Sequence, residues 1–300
     1  RLRPLAEHGK TMRPGGTRTL AGDRAPPLRW LRAGVPKKMF THFYAFGLLT
    51  ATAALVDILF HGGSVFTARI QEHSVCSRIA ARDGRVKELG VESLVCLILL
   101  TAQLGRRLWE CVAVTRWGTS RMTFAGYTVG IVFYQLLLLT VLVEAPPLGV
   151  LVQEAELFAS GWVSSVKVGQ AMIQAMKIRH AVALGAFFVG SARQHEAIKH
   201  LASLRTEVGD GSAKTSSYAI PTAGWFKHVS CPHYFAELLI YLSFLLLAGT
   251  SGRGLGQGYV VALLFVFANQ AYVAGQAHAW YRTKFEDYPR DRKRLVPGIW

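Results

Sequence analysis

The sequence predicts an all-α fold, arranged as a polytopic membrane bundle of about six spanning helices. Of the 300 residues, 51% are hydrophobic and only 17% are charged, and the mean hydropathy is +0.26. Soluble domains carry a charged fraction nearer to about a quarter. Residues 122–143 contain no charged side chain at all. A run of this length can cross the hydrocarbon core of a bilayer, which needs about 20 apolar residues.

Further apolar runs predict the remaining helices. They cover residues 43–60, 91–105, two weaker pieces within 158–192, then 238–252 and 254–277. The first is interrupted only by Asp57, and the second continues through Arg106 and Arg107. Charges inside an apolar helix indicate a membrane interface or an internal site. The polar stretches 67–92 and 193–232 are predicted to be connections outside the hydrocarbon.

The net charge of +16 is unevenly distributed. Residues 1–38 carry ten basic and two acidic side chains, and they lack the apolar core of a signal peptide. We expect a basic arm at 1–38 that is a truncated or non-native end, then a membrane domain at 39–300. The catalytic and cofactor-binding region is expected at about 190–300. Basic residues at helix ends can orient the protein in the membrane and attract an anionic ligand.

Metal and nucleotide-loop signatures are missing from the sequence. The four cysteines form no C-x-x-C pair and have no zinc-like histidine spacing. Four glycines between residues 252 and 258 follow a membrane helix rather than a strand, so they predict a turn and not a dinucleotide-binding loop. We therefore expect no metal site, and the charge distribution requires no nucleic acid.

Two helix ends combine ionisable residues with apolar runs. Ser230 is predicted to cap a helix whose first turn contains Pro232, which places His233 and Glu237 on one face. That pair is either an interfacial ion pair or part of a pocket that faces a nucleotide phosphate. His278 lies inside the last helix, ahead of a basic tail. Basic groups at several helix edges could converge in a cationic pocket: Arg106, Arg107, Arg193, His195, Lys199 and Arg205.

Three C-terminal motifs resemble the steroid 5-alpha-reductase family. They are GWFKHVSCPHYFAE at 224–237, HAWY at 278–281 and KFEDYP at 284–289. Three further motifs are similar to the polyprenal (polyprenol) reductase branch: VPKK at 35–38, RRLWE at 106–110 and SLR at 203–205. The resemblance covers roughly residues 35–300.

The resemblance implies a seven-span α-helical enzyme of the endoplasmic reticulum membrane. Such an enzyme uses NADPH to reduce a carbon–carbon double bond conjugated to a carbonyl. For this branch, the implied substrate is a long-chain polyprenoid, whose α-isoprene unit is saturated on the way to dolichol, the lipid carrier for protein N-glycosylation. Hydride would reach the β-carbon and a proton the α-carbon, and a hydrogen-bond donor would stabilise the developing enolate.

The resemblance also implies roles for individual residues. The predicted catalytic residues are Glu237, His278 and Tyr281. The predicted cofactor-binding residues are Arg107, Gln194, His195, Arg205, His233, Tyr281, Arg282 and Arg292. The chain departs from the family at Arg193, where the branch has a histidine, and at the N-terminus, where the basic arm replaces the first membrane helix.

Three alternatives stay open at the level of the sequence. A 3-oxo-steroid reductase belongs to the same family. A membrane transporter or lipid scaffold would fit the hydropathy alone, although no pair of broken helices in corresponding halves supports it. A membrane methyltransferase would share short C-terminal helices and a basic tail.

Overall fold

The computed structural model describes residues 34–61, 70, 86–143, 177–205, 207–208, 215–216, 218–249 and 256–300. Its described part contains six α-helices: α1 (Phe40–His61), α2 (Val86–Trp109), α3 (Phe124–Val143), α4 (Ile178–Ser203), α5 (Pro232–Ala248) and α6 (Gln257–Lys284). Two short antiparallel pairs accompany them: β1 (Gly34–Pro36) with β2 (Arg121–Thr123), and β3 (Glu207–Val208) with β4 (Thr215–Ser216). The predicted all-α membrane bundle is confirmed.

Three helical segments are long and apolar enough to cross a membrane by length and composition. They are Lys37–Phe60, Phe124–Val143 and Gln257–Lys284, and α5 is a shorter apolar helix. Their outward faces carry exposed large apolar side chains, such as Leu49, Leu136, Val261 and Leu264. Asp57, the one charged residue of the first apolar run, is buried inside the protein. This arrangement, apolar outside and polar inside, is what a lipid environment requires.

The observed helix bounds differ from the predicted ones mainly at the ends. α5 begins at Pro232, in the predicted first turn and six residues before the apolar run, and α6 extends seven residues beyond its predicted end, to Lys284. Arg282 and Lys284 continue α6 because long basic side chains cost little in a helix and favour its last turn. α6 starts after Gly256, which adopts a positive φ of 92°. Gly256, the third glycine of the predicted turn, is therefore the residue that precedes α6. Residues 250–255 lie outside the described part.

The expectation that residues 193–232 form a polar connection is wrong for its first eleven residues, which continue α4 to Ser203. The reason is a buried helical face: Gly190, Gln194 and Ala197 recur at helical spacing and face the protein. Polar residues on the other side of α4 lower the mean hydropathy of this segment, so the hydropathy did not indicate a helix there. The weaker helix predicted within 158–176, the basic arm as far as residue 33 and Cys76 lie outside the described residues.

Helix α2 ends in a short π-helix, Glu110–Val114, instead of a regular C-terminus. A π-turn inserts an extra residue per turn and is common at functional sites. It follows directly on Arg106 and Arg107, which are the basic residues of the last α-helical turn. The π-helix holds Glu110 and Cys111 in the interior.

The packing of the helices decides which polar residues meet. α4 and α5 share the most extensive contact, and Gly190 lets them approach closely. α2 and α4 run parallel, since Glu92 contacts His180 near their beginnings and Arg106 contacts Gln194 further along both. α5 and α6 are antiparallel neighbours. The core between the helices is filled by side chains such as Leu100, Leu104, Ile240 and Phe244.

Candidate active site

A buried carboxylate lies at the centre of a cluster of polar side chains between the helices. Glu110 is completely buried, and its two oxygens accept hydrogen bonds from Arg106 and from Arg107. His195 on α4 contacts the same carboxylate, with Nδ1 2.9 Å from Oε1. Burying one carboxylate with two guanidinium groups satisfies its hydrogen bonds and leaves a net positive charge in the interior.

Gln194 connects this carboxylate network to α5. Its Oε1 accepts from Arg106 Nη2 at 2.5 Å and from Gln103 Nε2 at 3.2 Å. Its Nε2 donates to the backbone carbonyl of His233 at 3.4 Å. Arg106 also donates to Gln103 Oε1 at 2.8 Å. Gln194 thereby fixes α2, α4 and the first turn of α5 with respect to one another.

Arg107 extends the network to α1 and faces Glu237. Its Nη2 donates to the Tyr44 hydroxyl at 3.1 Å, and the guanidinium lies 5.0 Å from the centre of the Tyr44 ring. It is close enough to Glu237 for electrostatic interaction. Glu237 Oε2 accepts from Gln270 Nε2 on α6 at 2.6 Å. We call this set the inner cluster: Tyr44, Gln103, Arg106, Arg107, Glu110, Gln194, His195, Glu237 and Gln270.

A second cluster, the C-terminal cluster, consists of Ser230, His278, Tyr281, Tyr288 and Arg292. The Ser230 hydroxyl lies 2.7 Å from His278 Nδ1 and 2.7 Å from the Tyr288 hydroxyl. The Tyr288 ring stacks on Tyr281 at 5.3 Å, almost parallel to it. All of these side chains are buried. The expectation that Ser230 caps α5 is wrong: Cys231 occupies the cap position and makes no side-chain cap hydrogen bond, while the Ser230 hydroxyl is engaged by the cluster.

Arg292 is a buried cation in the C-terminal cluster. Its side chain is 5% exposed, donates from Nη1 to the Pro221 carbonyl at 3.0 Å and lies 4.9 Å from the centre of the Tyr288 ring. Its Nε has no hydrogen-bond partner. No carboxylate pairs with Arg292 among the residues that the structure describes. A buried cation held only by a carbonyl and an aromatic ring is a good candidate to contact an anion.

The two clusters lie on the same interface between α5 and α6. Glu237 pairs with Gln270, and Ser230 pairs with His278, as the antiparallel arrangement of the helices requires. Seven residues separate the two positions near α5 and eight separate them on α6, which corresponds to about 11 Å along a helix. The positions of Glu237 and His278 are thus about two helical turns apart along the interface, and the two side chains can contact different parts of one extended ligand.

Arg205 lies in a third, cationic group at the end of α4. It exchanges hydrogen bonds with Arg116, each guanidinium donating to the backbone carbonyl of the other residue. Lys37 is close enough to Arg205 for charge repulsion, and Arg205 also acts electrostatically on Tyr281. Within the described ranges, no carboxylate pairs with any of these three cations. The repulsion among them favours binding of an anion.

The structure brings most of the predicted site residues into these groups. Arg107, Gln194, His195 and Glu237 belong to the inner cluster, and the His233 carbonyl contacts it. His278, Tyr281 and Arg292 belong to the C-terminal cluster. Arg282 is exposed but near enough to His278 to interact electrostatically. Arg193, whose role was open, is half-exposed, pairs with Glu196 at 2.8 Å and stacks on Trp225.

Sequence reasoning assigned no site role to eight residues of these groups. They are Lys37, Tyr44, Gln103, Glu110, Arg116, Ser230, Gln270 and Tyr288. Glu110 and Tyr288 were inside motifs that carried the family resemblance, and Gln103 and Gln270 are polar residues within apolar helices. That last signal, an uncharged amide among lipid-facing side chains, could have identified both. No three His, Cys, Asp or Glu side chains converge to hold a metal ion in the described part of the chain.

Comparison with known proteins agrees with the fold and with these motifs. The family described as 3-oxo-5-alpha-steroid 4-dehydrogenase matches residues 153–300, which include α4, α5, α6 and the C-terminal tail. The chain belongs to the steroid 5-alpha-reductase family, in its polyprenal reductase branch. It is an oxidoreductase that acts on a carbon–carbon double bond.

Relatives in the branch resemble nearly the whole chain. The chain is 31% identical to Polyprenal reductase 1 of Oryza sativa subsp. indica, an alignment covering 99% of this chain and 88% of the relative. It is 30% identical to Polyprenal reductase of Caenorhabditis elegans, covering 89% and 80% respectively. It is 28% identical to Polyprenal reductase of Homo sapiens, covering 94% and 83%. The branch predicted from the motifs is confirmed.

Proposed function

We propose that this protein is a polyprenal reductase, which saturates the α-isoprene double bond of a long-chain polyprenal with NADPH as the reductant. The product would be a dolichal-type lipid on the way to the dolichol carrier of protein N-glycosylation. One observation carries the proposal: in a chain about 30% identical to polyprenal reductases, the carboxyl group of Glu237 lies between the apolar helices α5 and α6.

The chemistry requires a polar group at a defined place inside an apolar site. In polyprenal the carbonyl makes the β-carbon electrophilic, and negative charge moves to the carbonyl oxygen when hydride arrives. A hydrogen-bond donor at that oxygen stabilises the enolate and lowers the barrier. We assign this part of the site to Glu237 in its protonated form, whose O–H donates to the carbonyl oxygen, with Gln270 holding the carboxyl group in position through the 2.6 Å hydrogen bond.

The inner cluster keeps Glu237 in a fixed electrostatic environment. Arg107 and Arg106 act on it from α2, and Glu110 neutralises part of their charge. The Nε atoms of both arginines are buried without a hydrogen-bond partner. These unpartnered donors suit a polar ligand, and we assign Arg107, Gln194, His195 and His233 to the lining of the cofactor side of the pocket.

Arg292 of the C-terminal cluster and the cationic group at the end of α4 together suit a phosphate-bearing cofactor. NADPH, when bound, supplies the hydride. Arg292 has an unpartnered buried Nε, and Arg205, Arg116 and Lys37 lack a carboxylate partner in the described part of the chain. We assign these residues, with Arg282, to the cofactor phosphates. Tyr281, buried beside Arg292 and Arg205, would contact the nucleotide, and His278 would position the nucleotide or give a proton to the α-carbon of the substrate.

The protein is a multi-pass membrane protein, and we assign it to the endoplasmic reticulum, where dolichol is used. We also assign the catalytic region to about residues 190–300, since both halves of the α5–α6 interface and the basic tail lie there.

The competing substrate within the family is a 3-oxo-Δ4-steroid, which carries the same conjugated carbonyl. Purified protein in detergent is incubated with NADPH and either polyprenal or testosterone, and the products are identified by mass spectrometry. Polyprenal should be reduced and testosterone left unchanged. Steroid reduction without polyprenal turnover would move the protein to the steroid branch, and turnover of neither would refute both assignments.

A further inference from the structure

We propose that Ser230 and Tyr288 are positioning residues that fix the tautomer of His278, so that Nε2 is the nitrogen presented to the ligand. This inference rests on the proposed function, in which His278 meets the cofactor or exchanges a proton. It assigns new roles to two residues outside the set predicted from the sequence.

The hydrogen atoms around the Ser230 hydroxyl can be counted. Oγ has three polar neighbours: His278 Nδ1 at 2.7 Å, the Tyr288 hydroxyl at 2.7 Å and the Lys293 carbonyl at 3.1 Å. A serine hydroxyl donates one hydrogen bond and accepts two. The Lys293 carbonyl can only accept, so all three contacts are satisfied together when Oγ donates to Lys293. Both other groups must then donate to Oγ.

This arrangement determines the state of the imidazole. His278 Nδ1 carries the hydrogen and donates it to Ser230, while the Tyr288 hydroxyl donates to the second lone pair of Oγ. In the neutral ring, Nε2 then has a free lone pair that can accept a hydrogen bond or a proton. In the opposite tautomer, Nδ1 would need the single serine hydrogen, and the Lys293 carbonyl, which can only accept, would lose its donor from Oγ.

The surrounding backbone holds the three groups in place. The Ser230 amide donates to the Lys293 carbonyl at 2.8 Å, and the Lys293 amide donates to the His228 carbonyl at 2.9 Å. The C-terminal tail is thereby fastened to the segment that precedes α5. Tyr288 is additionally held by stacking on Tyr281 and by an edge contact with His278, with ring centres 5.9 Å apart. Ser230 is 1% exposed and Tyr288 is 4% exposed, so water does not compete for these bonds.

A spectroscopic experiment tests the tautomer without any substrate. The purified full chain is labelled with ¹⁵N in its histidine rings and measured at mildly alkaline pH, where an ordinary histidine is neutral. The His278 signal is identified by its loss in His278→Gln. We expect a protonated Nδ1 and an unprotonated Nε2 in the wild type, and a mixture of tautomers in Ser230→Ala. A protonated Nε2 in the wild type would overturn the proposal.

A kinetic cycle tests the positioning. With polyprenal and NADPH, Ser230→Ala should lower kcat about 10- to 100-fold with KM values within about threefold, a loss of the size seen for acid–base positioning. Ser230→Thr keeps the hydroxyl and should recover most of the activity. Tyr288→Phe keeps the ring and should cost about threefold to tenfold. The double variant Ser230→Ala/Tyr288→Phe should be no worse than Ser230→Ala, because Tyr288 acts through Ser230.

Two results would contradict the positioning role: additive losses in the double variant, or a rise in KM with kcat unchanged. The outcome is separable from that of the proposed function. A wild type that reduces no polyprenal but has the expected tautomer refutes the substrate assignment and leaves the role of Ser230 intact. A wild type that reduces polyprenal but has the opposite tautomer refutes the role of Ser230 and leaves the substrate assignment intact.

Discussion

Glu110 is the residue on which the charge of the inner cluster depends. It is completely buried, and it is the carboxylate that both Arg106 and Arg107 contact. Removing one partner of a buried ion pair leaves an uncompensated charge in a low-dielectric interior, which is far more costly than losing an exposed pair. The effect of Glu110 on stability should therefore be large although it takes no part in the proposed chemistry.

Glu110→Gln should lower the free energy of unfolding by about 3–5 kcal/mol, because both guanidinium groups lose their negative partner. Thermal unfolding of the purified protein in detergent measures this. Glu196→Gln on α4 is the matched control: its ion pair with Arg193 is 46% exposed on each side, and exposed pairs contribute at most about 1 kcal/mol. Equal losses in the two variants would show that Glu110 is not the buried counter-charge.

Glu237 is the residue on which the proposed chemistry depends. Glu237→Leu keeps a side chain of similar size but removes the hydrogen-bond donor at the reacting carbonyl. We expect kcat for polyprenal to fall at least about 100-fold, the size of a lost oxyanion donor, with NADPH affinity changed by less than about threefold. Steady-state kinetics and NADPH fluorescence titration measure the two quantities. Full activity in this variant would exclude Glu237 from the reaction.

At this scale the sequence predicts residue types better than partners. The motif at 230–237 drew attention to Ser230, His233 and Glu237, and all three lie at the α5 interface. Their partners are 33 to 58 residues away along the chain, or on another helix, so no local spacing could reveal them. The wrong role for Ser230 has the same origin: the cap position was judged from neighbours in sequence, while the hydroxyl was already engaged by α6 and the tail.

The contact between α4 and α5 is the element-scale feature that assembles the site, because it brings Gln194 against the first turn of α5. The backbone approach depends on Gly190: a Cβ there would lie 2.9 Å from the Ala236 carbonyl and 3.0 Å from Ile240. The first distance is to backbone, which cannot move aside as a flexible side chain can. Small residues at such crossings are typical of helix packing in membranes.

Gly190→Ala should therefore destabilise the protein by about 1–3 kcal/mol, as overpacking does, and should lower activity by separating α4 from α5. Gly185→Ala on the same helix is the control, since no atom lies within 4 Å of its added Cβ. That variant should be neutral or slightly stabilising, because alanine favours a helix over glycine. Thermal unfolding and polyprenal turnover are compared for both. A harmless Gly190→Ala would mean that the helices do not need their close approach.

Helices differ in how far hydropathy could predict them. α3 matches its charge-free run within two residues, because a helix surrounded by apolar material leaves an unbroken signal. α4 was predicted only in part, because from residue 190 onward its outer face carries charged side chains and its inner face carries glycine, glutamine and alanine instead of large apolar residues. Hydropathy detects contact with lipid and misses a face that is buried by another helix.

At the scale of the whole molecule, the apolar exterior and the polar interior describe a protein that is integral to a membrane. Exposed large apolar side chains cover the outer faces of α1, α3 and α6, while Asp57, Glu110 and Glu237 are inside. Water could not solvate such an exterior without aggregation. The membrane class could be predicted from the composition, because apolar side chains on the outside as well as in the core raise the mean hydropathy of the whole chain.

The protein should stay with membranes that are washed at alkaline pH in carbonate and should be released only by detergent. This is expected because hydrophobic spans, and not surface charge, hold it there. Immunoblotting of the membrane and soluble fractions measures the distribution, with a peripheral membrane protein as the control. Release by carbonate or by high salt would mean that the positive charge of the chain, and not its helices, binds it to lipid.

We propose that the protein saturates the α-isoprene double bond of a polyprenal by hydride transfer from NADPH at the α5–α6 interface. NADPH carrying deuterium at the transferred C4 position is incubated with polyprenal and the purified protein, and the product is examined by mass spectrometry and NMR. One deuterium should appear at the β-carbon of a dolichal-type product, and Glu237→Leu should lower its formation at least about 100-fold. No product, or a saturated product without deuterium at the β-carbon, would contradict the claim.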